Sequence, residues 1–433
     1  MDKKRLFALA KEKGLEDLQI VSTASEALDV VYFDGHVEKN ETSSVSSCTV
    51  SAILNGQKAS FSIEDMDLPE EEIVSALWDS ASHMANEEQN EIFAGSEEYP
   101  VIETKPGDFH SISLREKIDL LASIEKKIRE KEPRVVQIPE IEYAEEVSSR
   151  SIENSKGLEI SKHNENCVVF FELVASDGTE AKVSYKFDVK KNLSEIDVDK
   201  LIDEAIREAV DQFGASPVES GDYPVIVENK AMISLLGSFC GMFSGESHLK
   251  KISPIQGKLG EKIFSEKITF LDAPLKEDAV NREPFDDEGV ACYDKTVVED
   301  GIFKTMLHNL KTAKAFGVEP TGNCFGGISP CNGYIRPGTV SKEEMIAGIE
   351  EGLLLTSFDG LHAGLNPISG DLSLKTGGYL IKDGKIDRPV TLIILSGNFL
   401  QMMNDVAEVG SDLEFRGSLG CPSIKFNKVS ISG

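Results

Sequence analysis

Histidine is scarce in this sequence, and the histidines that are present lie far apart. The chain has 433 residues and contains seven histidines, which are His36, His83, His110, His163, His248, His308 and His362. A zinc-binding helix of the HExxH or HExxxH kind needs two imidazoles about one helical turn apart. Since no two histidines meet that condition, the sequence excludes a paired-histidine zinc helix. A zinc site assembled from distant residues is not excluded by this spacing.

Other motifs that carry catalytic chemistry are also missing. The sequence contains no GxxxxGK[ST] phosphate loop, no GxGxxG dinucleotide loop and no GxSxG nucleophile elbow. Its seven cysteines include no CxxC pair. In a long chain without a secretory signal, such scattered cysteines are expected to be reduced thiols. The sequence therefore gives no support for nucleotide-dependent or serine-hydrolase chemistry.

Basic residues are also few relative to acidic ones. Lys plus Arg number 45 against 75 for Asp plus Glu, which gives a formal net charge of −30. Because nucleic acids and anionic membranes are bound through clustered Lys and Arg, we expect neither as a partner. No segment approaches the roughly 20 apolar residues that span a bilayer. Lys11 and Lys13 interrupt the first apolar stretch too soon for a signal peptide, so we expect a cytoplasmic protein.

The pattern of apolar residues predicts an α+β fold with a duplicated N-terminal domain. Alternating and β-branched runs within residues 17–64 predict strands, with a hairpin turn at Asn55-Gly56 and a helix after Pro69. The same order returns about a hundred residues later. There, strands within 168–189 precede a helix that we expect Ser194 to cap. Two hairpin-plus-helix units indicate an internal duplication.

A change in composition near residues 214–224 predicts a domain boundary. We expect an N-terminal α+β domain at 1–215 and a C-terminal domain at 222–433 built on a curved antiparallel β-sheet. Short strands and turns alternate in the second domain. Helices are predicted there at 341–355 and 398–406.

From Tyr223 onward the chain resembles the TldD/PmbA family. The resemblance is carried by the order of short stretches at 235–245, 284–290, 300–302, 312–323, 368–371, 377–381, 396–399 and 420–424. It implies a two-domain protein in which TldD and PmbA (TldE) subunits pair as a zinc peptidase that acts on leader peptides and unfolded short proteins. TldD-type chains carry HExxxH on a helix, and the corresponding positions here are Leu236, Gly237 and Gly241. This is the PmbA/TldE pattern, which implies no zinc in this chain, zinc in a TldD-type partner, and a homodimer as a further assembly.

Other residues are candidates for a peptide groove or belong to the family signature: Ser238, Gly245, Asp286, Asp287, Glu288 and Asn323. Two other interpretations stay open. One is a free-standing hydrolase built on Cys324, with His308 as its base, or on the carboxylates of 286–288. The other is a regulatory protein-binding module that acts on gyrase, as the family's older name implies. Cys421 lies near the region where TldD-type chains supply a thiolate, but its surroundings differ and we assign it no role.

Overall fold

The chain folds as an α+β protein, as its sequence predicts. The computed structural model describes residues 1–63, 68–84 and 90–433. Contacts divide the chain into two compact units. Unit 1 comprises Met1–Ser176, Val183–Arg207 and Val280–Ala291, and unit 2 comprises Asp177–Lys182, Glu208–Ala279 and Cys292–Gly433. Residues 280–291 thus belong to unit 1 although they lie in the C-terminal half of the sequence.

Unit 1 is a six-stranded antiparallel sheet with helices. Its elements are α1 (Lys3–Glu12), β1 (Asp17–Phe33), β2 (His36–Leu54), β3 (Gln57–Ile63), α2 (Glu70–Ser82), α3 (Leu114–Lys131), β4 (Val135–Asn154), β5 (Glu159–Ser176), β6 (Ala181–Lys190) and α4 (Val198–Val210). The strand order is β3-β2-β1-β4-β5-β6. The succession helix, three strands, helix therefore occurs twice, and the copies meet where β1 pairs with β4. This arrangement confirms the predicted duplication.

Three local predictions for unit 1 differ from the structure. Strand β1 runs unbroken from Asp17 to Phe33, because the chain reverses only at Asp34-Gly35, where both residues have positive φ. The long strand β4 was not predicted, since charged residues obscure its alternation. Ser194 does not cap α4: it lies in a 3-10 turn, and Asp197 Oδ1 accepts the N–H of Lys200 at 3.0 Å instead.

Unit 2 contains two sheets and six short helices within the described residues. Its elements are β7 (Gly221–Val227), α5 (Asn229–Phe239), α6 (Gly245–Leu249), β8 (Phe270–Asp272), β9 (Lys295–Glu299), β10 (Ile302–Phe303), α7 (Leu310–Phe316), β11 (Gly333–Ile335), α8 (Lys342–Ala347), β12 (Glu351–Asp359), α9 (Leu361–Gly364), β13 (Asp371–Lys382), β14 (Lys385–Asn398), α10 (Phe399–Asn404), β15 (Val406–Val409), β16 (Glu414–Arg416), β17 (Leu419–Cys421) and β18 (Ile424–Ser432). One sheet has the order β10-β9-β8-β11-β17-β16. The other has the order β14-β13-β12-β7-β18-β15, and β14 also pairs with β18.

The pairing of β14 with β18 closes five strands into a ring, which accounts for the strong curvature that the sequence predicts. Most pairings are antiparallel, but β7 pairs with β12 and β11 pairs with β17 in parallel. The predicted helix over 341–355 is wrong beyond Ala347, because residues 351–359 form β12. Its leucines are buried between β7 and β13, and a short buried apolar run has no periodicity that separates strand from helix.

Large apolar side chains fill the core of unit 2. Phe243 packs against Phe264, Phe270 and Phe303 with ring centroids 5.4–6.5 Å apart. This packing fixes the 3-10 segment Cys240–Phe243 that follows α5. None of the helices in the described ranges is long and apolar enough to cross a membrane.

Candidate functional site

The positions that the sequence resemblance aligns with the zinc motif, Leu236, Gly237 and Gly241, lie on α5 and on the 3-10 segment Cys240–Phe243 that continues it. We call them the zinc-motif positions. Leu236 is buried in the core of unit 2 with 1% exposure, whereas Gly237 and Gly241 are exposed. Ser234 is exposed on the same side and Ser238 is half-buried. Ser234, Gly237, Ser238 and Gly241 recur at helical spacing and therefore lie on one face, which we call the small-residue face. It presents almost no side-chain atoms to its surroundings.

The two hydroxyls of the small-residue face are occupied by the helix itself. Ser234 Oγ donates to the carbonyl oxygen of Lys230 at 3.2 Å, and Ser238 Oγ donates to that of Ser234 at 3.0 Å. Such bonds tie a hydroxyl to the preceding turn and give it no basic partner that would make it a nucleophile. Gly237 packs beside Leu419, whose Cδ1 would lie 3.2 Å from a Cβ at this position. The face is therefore a smooth wall, with no catalytic group of its own.

Metal-ligating side chains do not gather at this position. In residues 1–63, 68–84 and 90–433, no three His, Cys, Asp or Glu side chains are placed to hold a metal ion. Cys240 and Cys421 are both buried, and burial raises the pKa of the Cys240 thiol to about 12 and that of the Cys421 thiol well above its usual range. Thiols in such surroundings are protonated at neutral pH and are poor ligands. The residues at the zinc-motif positions therefore do not fit a zinc ion.

Gly245 begins α6 and is pressed against a buried histidine. A Cβ added to Gly245 would lie 2.5 Å from His308 Nδ1 and 3.0 Å from Thr312 Oγ1. His308 Nδ1 is hydrogen-bonded to Thr312 Oγ1 at 3.1 Å. His248, also on α6, hydrogen-bonds through Nε2 to the Met242 carbonyl oxygen at 3.0 Å. Gly245 thus has a packing role in the structure.

Burial lowers the pKa of both imidazoles near Gly245. His248 and His308 are 3% and 5% exposed, and desolvation disfavours the charged form of each. For His308 the proximity of His248 lowers the pKa further. Both are therefore neutral core histidines at neutral pH. His308 Nδ1 is engaged within this core by Thr312 Oγ1.

Asn323 belongs to a fully buried polar network. Asp272 Oδ2 accepts from Asn323 Nδ2 at 2.7 Å and from Lys295 Nζ at 3.0 Å, and Lys295 Nζ also donates to Asn323 Oδ1 at 3.2 Å. The N–H of Cys331 donates to Asp272 Oδ1 at 2.6 Å. Burial raises the pKa of the Asp272 carboxyl, and the ammonium of Lys295 opposes that shift. Asn323 therefore holds the loop after α7 to β8 and β9.

The carboxylates of 286–288 lie in unit 1 and form a turn. Asp286 has 0% exposure, and its Oδ1 accepts the N–H groups of Glu288 and Val290, each at 3.0 Å. Asp287 Oδ1 lies 3.0 Å from Arg150 Nη1. Asp286 and Asp287 are therefore engaged by protein groups. Cys324 is half-buried in a loop of unit 2, where its backbone pairs with that of Ile328 in an isolated antiparallel β-bridge.

Sequence reasoning missed Asp272 and Lys295, which organise the Asn323 network. They lie on β8 and β9, far from Asn323 in the chain, and no local spacing connects the three. A buried lysine must be paired to be tolerated. Nothing in the sequence shows that Lys295 is buried, however, so no available signal identifies the network.

The fold is that of a metallopeptidase family, although Leu236, Gly237 and Gly241 supply no metal ligand. Residues 107–213 match the PmbA/TldA metallopeptidase central domain, and residues 220–433 match the PmbA/TldA metallopeptidase C-terminal domain. A Thermotoga maritima protein, described as a candidate modulator of a DNA gyrase, is 31% identical and superimposes with a TM-score of 0.92, covering 99% of both chains. The chain belongs to the PmbA/TldD family and is of the PmbA/TldE type.

Two further proteins are similar to this chain. TldE from Thermococcus kodakarensis has the same fold, with a TM-score of 0.90 at 23% identity over 99% of both chains. The metalloprotease PmbA homolog of Buchnera aphidicola is 25% identical over 262 residues. That match covers 60% of this chain and 58% of the relative, which is less than two thirds of the relative's length.

Proposed function

We propose that this chain is a non-catalytic subunit of a peptidase complex in which a TldD-type partner supplies the zinc ion and the general base. One observation carries the proposal. At the zinc-motif positions the chain has a buried leucine, Leu236, and two glycines, Gly237 and Gly241. Neither a buried hydrocarbon side chain nor a glycine can ligate a cation or accept a proton. The chain therefore needs a second polypeptide to complete the chemistry.

The small-residue face is what this chain would contribute to the complex. A Cβ added at Gly241 meets no atom of residues 1–63, 68–84 and 90–433 within 4 Å, so among these residues space is open above it. Glycine lets another backbone approach closely. A peptide in extended conformation, recognised through its main chain, could pass over such a wall whatever its sequence. Leader peptides and unfolded short proteins are substrates of this kind.

Metal analysis and reconstitution test the proposal. The chain purified alone should contain no stoichiometric zinc by elemental analysis and should not cleave unstructured peptides. Addition of a TldD-type subunit should give a complex, seen by size-exclusion chromatography with light scattering, that contains zinc and cleaves them. One zinc ion per chain together with peptidase activity in the isolated protein would refute the proposal.

A matched pair of variants tests the small-residue face. Gly241→Phe places a large side chain in open space, so we expect it to lower kcat/KM of the complex by about tenfold or more if a peptide must pass there. Glu343→Phe adds the same side chain at an exposed position of α8 and should leave kcat/KM unchanged. Complex formation is measured for both variants, because a lost interface would also lower activity.

The proposal includes a cytoplasmic location and leaves room for a homodimer of the free chain. Fractionation of the native cell tests the location. Light scattering of the isolated chain separates a monomer from a homodimer.

A further inference from the structure

A cavity of about 310 Å³ lies in unit 1, away from the zinc-motif segment in sequence. It is lined by strands β1, β2, β4 and β5, which supply mostly hydroxyl-bearing and charged side chains. Those that matter here are Ser25, Ser148, Ser149, Glu146, Arg150 and Lys162. Ser148 stands opposite Ser25 in the register, and Arg150 stands opposite Lys162. The cavity therefore has a polar lining with defined charges.

The two cations of the cavity already have counter-ions. Arg150 Nη1 lies 3.0 Å from Asp287 Oδ1, and Lys162 Nζ forms an ion pair with Glu283. Glu146, in contrast, is exposed and makes no ion pair or hydrogen bond within residues 1–63, 68–84 and 90–433. The cavity thus keeps one uncompensated negative charge. That charge favours a ligand with a cationic group.

Arg150 also keeps one unused donor. Its Nε is buried and has no hydrogen-bond partner in the described part of the chain. Buried donors are nearly always satisfied, and one that is not calls for an explanation such as an absent ligand. A ligand oxygen at this position would accept the Nε–H. The cavity therefore offers a carboxylate for a cation, and it is lined by an arginine whose buried Nε–H has no partner in the described residues.

The distance between these groups sets the size of the ligand. Glu146 and Arg150 are four residues apart on β4 and on the same face, which corresponds to roughly 13 Å between their Cα atoms. A ligand that spans this Cα separation would be about three or four extended residues long. The hydroxyls of Ser25 and Ser148, which lie on the same face as Glu146 and Arg150, can donate or accept hydrogen bonds, so they suit the main chain of a peptide of any sequence.

We infer that this cavity binds the amino-terminal end of an extended peptide. The terminal ammonium pairs with Glu146, and a carbonyl or carboxylate oxygen a few residues on accepts from Arg150 Nε. The choice of a peptide as the ligand rests on the proposed function, whereas the positions of the charged and polar contacts come from the cavity itself. The chain would thus hold a peptide end in unit 1.

Calorimetric titration of the full-length chain, without partner or added zinc, tests this inference. The probes are tetra-alanine with free ends, its N-acetylated form, its C-amidated form, and an N-acetylated peptide with one lysine. We expect acetylation to weaken binding by roughly tenfold or more, as the loss of a charge-assisted contact implies. If the lysine peptide binds as tightly as the peptide with free ends, any ammonium group suffices. If it binds as weakly as the acetylated peptide, the site recognises the terminal ammonium specifically.

Two variants assign the contacts. Glu146→Gln should weaken binding of the peptide with free ends to the level seen for the acetylated peptide, and it should leave binding of the acetylated peptide unchanged. Arg150→Lys keeps a cation for Asp287 but removes the Nε–H, so it should weaken binding of all four peptides. Glu12→Gln, at an exposed glutamate of α1, is the matched control and should change nothing.

The inference is overturned if the wild-type chain binds none of the peptides at millimolar concentration, or if acetylation and Glu146→Gln have no effect. Circular dichroism establishes that the variants are folded, and Glu146 is exposed, so its substitution leaves the core intact. Failure of the reconstituted peptidase would refute the proposed function without touching this result, because the titration contains neither partner nor zinc.

Discussion

Removal of the Asp272 carboxylate should destabilise unit 2 severely. Asp272 has 0% exposure, and the side chain of Lys295 beside it is only 4% exposed. Asp272→Ala would leave a buried ammonium without a counter-ion, and the donors of Asn323 and Cys331 would lose their acceptor. Breaking a buried ion pair from one side costs about 3–5 kcal/mol of unfolding free energy. That is a large part of the ordinary stability of a domain, about 5–15 kcal/mol.

Urea unfolding followed by circular dichroism measures this loss against an internal control. Glu299, on the same strand as Lys295, forms an exposed pair with Lys304 at 3.4 Å, and Glu299→Ala should cost about 0–1 kcal/mol. The double variant Asp272→Ala/Lys295→Met removes the stranded charge and should recover much of the loss. The reasoning is refuted if Asp272→Ala costs no more than Glu299→Ala, or if the double variant is no more stable than the single one.

Three further predictions concern packing and pH. Gly245→Ala should lower the unfolding free energy by about 1–3 kcal/mol, because the new Cβ meets His308 at 2.5 Å. Gly241→Ala is the control and should leave the unfolding free energy unchanged in the same urea titration. Equal losses for the two variants would contradict this prediction. Burial lowers the pKa of His248 and His308, so as pH falls the unfolded chain binds protons before the folded chain does. The unfolding free energy should therefore decrease as pH drops below about 6.5. His308→Gln should make this decrease with pH less steep. Burial tends to raise the pKa of Glu165, but hydrogen bonds from the Gly107 N–H and two histidines lower it to about 2, so its contribution should be complete above about pH 4.5 and lost as pH falls toward 2. Thermal melts of wild type and Glu165→Gln between pH 2 and 5 check this, and parallel pH profiles would contradict it.

Local turn chemistry explains which parts of the fold could be predicted. Asn55-Gly56 predicts its hairpin because both residues accept the positive φ that a two-residue turn requires. Asp34-Gly35 makes the same kind of turn and was overlooked, since the polar residues after it, at the start of β2, resemble a loop. Strand β12 was misassigned because its leucines are buried on both sides, and only pairing with β7 and β13 decides their state.

Contacts between distant residues explain why the candidate site was only partly predictable. The sequence shows that ligands are absent from 236–241, because identity alone settles whether a side chain can bind a metal. It does not show that Leu236 faces the core while Gly241 faces open space. Nor does it show that Asn323, a residue of the family signature, is held by Asp272 and Lys295.

The two glycines Gly241 and Gly245, four residues apart, carry different information about function. Gly245 is required by packing, since His308 and Thr312 occupy the space that a side chain would need. Gly241 has no such constraint, because no atom in the described part of the chain lies within 4 Å of the position of its missing Cβ. The fold would therefore accept a side chain at 241, and its absence keeps the surface of the small-residue face clear. A peptide path, which needs clear space beside a rigid wall, is a reason for glycine at 241 that packing does not provide, and the Gly241→Phe variant tests that reason directly.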